Sequence, residues 1–303
     1  MTKLSEKGVS YIGGFFMLIA FAIGGMILGS LIAAGIIMAT SGVDPLALTQ
    51  IMGKPEYFRE MQIMQSISAF FSFFIPTIFT ASRLSSRPLE LTGFTGTISQ
   101  KQILFTLFII ACGLALSSSL GYMSYQIPFP AEWKAYFSRL ESDYMKMAAN
   151  LIRLDNPFEL FISLIVLAVI PAVCEETLFR GGLQNYLYRH TNKLWFSVII
   201  VSLIFSVVHF SFYGFLSRFM LGIVLGLLYQ YSGKLWLPII AHFINNAMAV
   251  TVMYVQHANG KTITEIMSDR DGSYFGLLVI PVIVFLFVKF REASLVNKTT
   301  DGV

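Results

Sequence analysis

The ionisable side chains that the long apolar stretches carry in their interior form a short set: Glu175, Glu176, Arg180, His209, Arg218 and His242, with the amides Asn245 and Asn246 beside them. Glu175, Glu176 and Arg180 sit in CEETLFRGGLQ, directly after the uncharged run FISLIVLAVIPAV. A charge at the centre of a bilayer-spanning helix costs about 2.5–3.5 kcal/mol even on the mildest scale, so each of these residues is expected to have a task. Their spacing says which. Glu176 and Arg180 are four apart, share a helix face and can pair. Glu175 is turned about 100° from Glu176, so it stays free when its neighbour is neutralised. His209 follows Phe205 by four residues, and Asn246 follows His242 by four. A free carboxylate next to a histidine is a suitable general base for water. A second histidine and an amide can donate to an oxyanion. Together they make a site for acyl-bond hydrolysis that needs no serine or cysteine nucleophile. Cys174 is adjacent, but a thiol nucleophile requires its own base, and the simpler expectation is a small buried side chain. Asn245 reads as a packing amide, His190 and His257 as inert loop residues, and Arg218 as a cation that snorkels to an interface.

The chain that must position these groups is 55% hydrophobic and 13% charged over 303 residues, with mean hydropathy +0.70. Soluble domains carry about 25% charged residues, so the solvent here is lipid. The apolar runs reach spanning length without alternating, which selects helices over a barrel. Eight such segments lie near 11–39, 61–82, 102–123, 157–175, 194–212, 214–231, 235–255 and 274–290. The expected fold is therefore an all-α, polytopic membrane helical bundle with about eight transmembrane helices. Residues 131–154 differ: Trp133, Phe137, Leu140, Tyr144, Met147, Leu151 and Leu154 recur at three- and four-residue steps with charges between them. That pattern predicts an amphipathic helix, lying on the membrane surface or packed as a lid on the protein. The two cysteines imply no disulfide framework. The net charge of +4 comes without a dense Lys/Arg cluster, so nucleic acid is not an expected partner.

Three motifs then carry a resemblance. EETLFR has the form Glu-Glu-x-x-x-Arg, FSVVH the form Phe-x-x-x-His and HFINN the form His-x-x-x-Asn, in that order on successive apolar segments. The chain resembles the CAAX-protease and bacteriocin-processing family, also called ABI or type II CAAX prenyl endopeptidases, over about residues 157–255. The resemblance implies Glu175 as the carboxylate that activates water, His209 as its partner, His242 and Asn246 as the oxyanion-stabilising pair, and Glu176 and Arg180 in support. It implies an intramembrane endopeptidase acting on membrane-associated, lipidated or bacteriocin-like peptides, in a bacterial cell membrane, with membrane lipid and a peptide substrate as partners. Two other classes use similar residues: a transporter or proton-relay protein, and a non-catalytic immunity or scaffold protein. No cofactor is expected. Zinc is the alternative, because Glu and two His are common zinc ligands, but the sequence lacks the H-E-x-x-H arrangement that puts two ligands on one helix.

The expected organisation is residues 1–156 as three transmembrane helices plus the amphipathic helix, 157–290 as the catalytic membrane core, and 291–303 as a cytoplasmic tail. With the N-terminus inside, the Lys/Arg residues divide twelve inside and nine outside, which favours both termini in the cytoplasm. One problem is geometric. If the fourth segment stops near 175, Glu175 and His209 lie at opposite ends of neighbouring helices. They meet only if that helix continues to about 189 or the fifth is displaced in depth, with Arg180, Gln184 and Asn185 lining a water-filled cavity.

Overall fold

The computed structural model of the chain describes residues 3–42, 44, 54–269 and 271–300; Arg270, one of the nine Lys/Arg residues that the count puts outside, and residues 301–303 of the expected tail lie outside them. Among the described residues every regular element is helical, apart from one isolated bridge between Leu4 and Ser10. The chain is a helical membrane bundle. In order, the helices are α1 Tyr11–Ser41, α2 Phe58–Leu84, α3 Pro88–Thr92, α4 Gln100–Gln126, α5 Ala131–Ala149, α6 Pro157–Thr191, α7 Leu194–Val207, α8 Phe215–Ser232, α9 Trp236–Ala258, α10 Ile263–Ser268 and α11 Ile280–Thr300. Six of them, α1, α2, α4, α6, α8 and α9, are long and apolar enough to cross a membrane. The expected count of eight included two more. Helix α7 has 14 residues, about 21 Å at 1.5 Å per residue, short of a hydrocarbon core of about 30 Å. Helix α11 carries Lys289, Arg291 and Glu292 along its length.

The ends of these helices follow from their sequence. Ser10 and Asn156 cap α1 and α6 by accepting from the amides of Gly13 and Glu159, and Ser99 forms a capping box with Gln102 at α4. Asn192 ends α6 and Gly233 ends α8, both in the left-handed region.

Two prolines reshape the spans from inside. Pro76 and Pro171 each follow a π-helical turn, Phe70–Phe74 and Ile165–Val169. A proline ring clashes with the carbonyl four residues back and supplies no N–H. The wider turn relieves the clash: Ile75 donates to the Phe70 carbonyl and Ile170 to the Ile165 carbonyl, each five residues back. The bulge in α2 is accepted by α1 because Gly25 and Gly29 present no side chain there; a Cβ on Gly25 would collide with the Phe71 carbonyl oxygen, and one on Gly29 would lie 2.8 Å from Phe71 Cβ. This is close small-residue packing of the kind that holds helices together in lipid.

The N-terminal helices share a core with the rest of the chain. Phe15, Leu18 and Leu84 cluster with Phe179, Leu183, Tyr186, Val201 and Phe205. A second core joins α4, α8, α9 and α11 through Ile109, Leu225, Leu237 and Phe290. The amphipathic helix runs to Ala149 rather than 154, and Leu154 is buried in the loop that follows. Its Phe137 and Tyr144 pack on the 208–218 region while Trp133 and Met147 stay exposed. The lid arrangement is thus the one adopted on its inner face.

Candidate active site

The depth problem is solved by α6, which does not stop near 175 but continues to Thr191. Measured from the turn that joins α6 to α7, Glu175 lies 16 residues back, about 24 Å, and Val207 lies 13 residues on, about 20 Å. The shortness of α7 therefore brings His209, on the turn after it, level with Glu175. On α9, whose start is tied by the Leu235 amide donating to the Gly93 carbonyl, His242 reaches Glu176, the residue after Glu175.

Two layers result. In the outer one, Glu175 Oε2 faces His209 Nε2 at 3.9 Å, with the side chains 16% and 25% exposed. His209 Nδ1 lies 2.6 Å from the Phe205 carbonyl. A carbonyl only accepts, so Nδ1 carries the proton, and Nε2 of the neutral ring presents its lone pair toward Glu175. Glu175 Oε2 is buried and has no hydrogen-bond partner in the protein.

In the inner layer, Glu176 is fully buried and its Oε1 accepts from Arg180 Nη1 at 2.6 Å and from His242 Nδ1 at 2.8 Å. Arg180, also fully buried, donates through Nη2 to the Gly222 carbonyl at 3.2 Å and stacks over the Phe205 ring at 4.7 Å. Phe205 lies between Arg180 and both histidines, with His209 and His242 ring centroids 5.0 and 5.9 Å away. The Glu176–Arg180 pairing expected from the spacing is present. The sequence placed His242 only with Asn246, whereas the structure also gives it Glu176.

Asn246 is held by its neighbours. Its Nδ2 donates to the Leu167 carbonyl at 3.2 Å and its Oδ1 accepts from Asn245 Nδ2 at 3.1 Å. Leu167 is four residues before Pro171, which has no N–H, so its carbonyl lacks the helix's own donor. Asn246 supplies one. A carboxamide has two N–H groups, so one remains for another acceptor. Asn245, expected merely to pack, orients Asn246.

Arg180 and Gln184 do not line a cavity. Gln184 Nε2 donates to the Gly226 carbonyl at 2.9 Å, one helical turn beyond the Arg180–Gly222 contact. Both contacts leave the π-helical stretch Thr177–Gln184 of α6. Gly226 makes room for Gln184, whose Oε1 would lie 2.7 Å from a Cβ there, and Gly222 makes room for α7, where a Cβ would lie 2.8 Å from Ser202 Cβ. Asn185 does line a cleft of about 440 Å³, with Tyr11, Arg189 and Gln230. Cys174 is buried as a free thiol. Arg218 is half-buried with its guanidinium 4.8 Å from the Tyr144 ring centre. His190 and His257 lie in the last turns of α6 and α9, not in loops.

Each histidine commits its Nδ1, one to a carbonyl and one to a carboxylate, and keeps Nε2 open, a pattern that metal-ligating histidines share; among the described residues no three His, Cys, Asp or Glu converge as a ligand set. A catalytic zinc takes three protein ligands.

Residues 157–248, the helices that bring Glu175, His209 and His242 together, match the family described as type II CAAX prenyl endopeptidase Rce1-like. These residues, about a third of the chain, are similar to the core of that family. Two similar proteins come from Bacillus subtilis (strain 168). The chain is 33% identical to "Uncharacterized protein YpbD" over 115 residues, 36% of this chain and 54% of that protein. It is 32% identical to "Putative membrane peptidase YdiL" over 87 residues, 29% of this chain and 35% of that one. The chain thus spans about half or less of the curated relatives it matches. No solved structure matches it. The Rce1-like core ends within α9, and the first three spanning helices lie before it.

Proposed function

We propose that the chain is an intramembrane endopeptidase in which Glu175 and His209 activate water. The observation that carries this reading is the 3.9 Å separation of Glu175 Oε2 and His209 Nε2. Both are acceptors, too far apart to bond each other and close enough for one water to donate to both. As that water attacks a peptide carbonyl, its proton passes to Glu175 and its oxygen bonds to carbon. The developing oxyanion takes hydrogen bonds from the free N–H of Asn246 and from His242 Nε2, which donates when the ring is an imidazolium backed by Glu176. When the C–N bond breaks, Glu175 returns the proton to the leaving amine, and a carboxylic acid, which keeps water's other hydrogen, and an amine depart. Arg180 neutralises Glu176 and leaves Glu175 as the free base. No metal is assigned a step.

The substrate proposed is a membrane-associated peptide, lipidated or bacteriocin-like. The test is digestion of synthetic membrane peptides, with and without an isoprenyl group on a C-terminal cysteine, by the purified chain in detergent. New termini by mass spectrometry are expected in one class. Intact peptides throughout would end the proposal.

The setting proposed is the bacterial cell membrane with both termini cytoplasmic, on the Lys/Arg count. Lys3 and Glu292 are exposed, whereas Ser294 is buried against Gln102. Lys3→Cys and Glu292→Cys should resist an impermeant thiol reagent in intact cells and react after lysis. Labelling of either before lysis would invert the topology.

A further inference from the structure

The turn that carries His209 is fastened from one side by a helix outside the Rce1-like core. Glu141 is the charged residue that α5 buries, 8% exposed, on the same face as Phe137 and Tyr144. Its carboxylate accepts from Ser211 Oγ at 2.9 and 3.1 Å and from the Tyr213 amide at 3.3 Å, two and four residues after His209. Phe137 stacks on Phe212 with ring centroids 3.5 Å apart and planes 5° apart. Tyr144 covers Arg218 at the start of α8.

Burying a carboxylate costs free energy unless donors replace its water. A surface helix built only to lie on lipid would turn Glu141 outward. Here its donors come from one short turn. That turn also holds Phe210 at φ +52°, in the left-handed region that a residue with a large side chain enters only under constraint. On its far side the turn is closed by Ser206 Oγ, which donates to the Phe215 carbonyl at 2.7 Å. His209 thus sits between a fixed helix end and a turn on which Tyr125 of α4 stacks through Tyr213, with ring centroids 4.2 Å apart, and whose polar anchor from outside is Glu141 of α5.

We propose that Glu141 is a positioning residue: it fastens the 208–214 turn and so sets the distance from His209 Nε2 to Glu175. This rests on the Glu175–His209 reading for its effect on turnover, but its structural part stands without it. Misplacing a reacting group by about 1 Å costs about 100-fold in rate.

The test uses full-length Glu141→Ala, Glu141→Gln, Ser211→Ala and the double variant Glu141→Ala/Ser211→Ala, each with its melting temperature in detergent. The first readout is the rate at which diethyl pyrocarbonate modifies His209, resolved by peptide mass spectrometry, with His257, 31% exposed and paired instead near Asp155, as internal reference. Glu141→Ala and Ser211→Ala should each raise the His209 rate several-fold and leave His257 unchanged. The second readout is peptide cleavage, where kcat should fall by about 10- to 100-fold at constant KM. The two losses should not multiply in the double variant, because both break one contact. Glu141→Gln keeps an acceptor oxygen for Ser211 and should recover most of the loss. Should Glu141→Ala fail to fold, Ser211→Ala decides alone. An unchanged His209 rate in a folded variant overturns the proposal, as does a multiplied loss in the double variant. A wild type that cleaves no peptide removes the hydrolytic reading, and the labelling rates then decide the positioning role by themselves.

Discussion

Glu175→Gln is expected to lower peptide cleavage by about 10²–10⁴-fold, the usual loss when a general base is removed, with abundance and melting temperature close to wild type. The reason lies in the two layers of the site. Glu175 is partly exposed and makes no ion pair shorter than its 3.9 Å approach to His209, so an amide of the same shape disturbs little packing. It removes the basic oxygen and puts a donor or a neutral acceptor where water must lose its proton. Initial rates on one cleaved peptide, with circular dichroism melts of both proteins, check this. A variant with near-normal turnover would mean that the base lies elsewhere. A variant that fails to accumulate would mean that Glu175 supports the fold instead.

Arg180→Ala should do the reverse and act first on stability. Removing one partner of a buried ion pair costs about 3–5 kcal/mol, because the other charge stays buried. Net folding stabilities are only about 5–15 kcal/mol. Here the substitution strips Glu176 of its 2.6 Å partner, frees the Gly222 carbonyl in a dry interface, and opens a void against Phe205. Membrane yield by immunoblot should fall well below that of Glu175→Gln, and the residual protein should melt earlier. Equal yields would point to a guanidinium that contacts substrate.

Much of this site was legible because lipid makes charge conspicuous. In a chain this apolar, Glu175, Glu176, Arg180, His209 and His242 stand out, and four-residue spacing shows that Glu176 and Arg180 share a face. What spacing could not show was depth. Nothing in the apolar pattern marks where α6 ends, since GGLQNYLY reads as a boundary although it continues the helix. The stretch stays helical because its polar groups find protein partners: Gln184 on the Gly226 carbonyl and Asn185 on those of Leu91 and Gly181. GIVLG in α8 was the available signal, since glycines four apart mark a close helix approach. Phe205 was visible only as the first residue of FSVVH, and its position between both histidines and Arg180 is a product of three helices meeting. The Asn246–Leu167 bond was equally hidden. It joins a proline's missing N–H on one helix to an amide 79 positions away, a long-range match that helical periodicity does not encode. Glu141 was hidden for a similar reason: on a helical wheel it is one more charge of an amphipathic helix, and only the turn that donates to it makes it different.

The most direct test takes one purified preparation through exhaustive chelation, measures its metal content, and follows cleavage of a membrane peptide by wild type and Glu175→Gln side by side. A carboxylate–histidine pair acting on water predicts less than stoichiometric metal, retained wild-type cleavage, and loss of cleavage in Glu175→Gln alone. One zinc per chain, with wild-type activity lost on its removal and restored on its return, would contradict the account and make Glu175 and the histidines ligands.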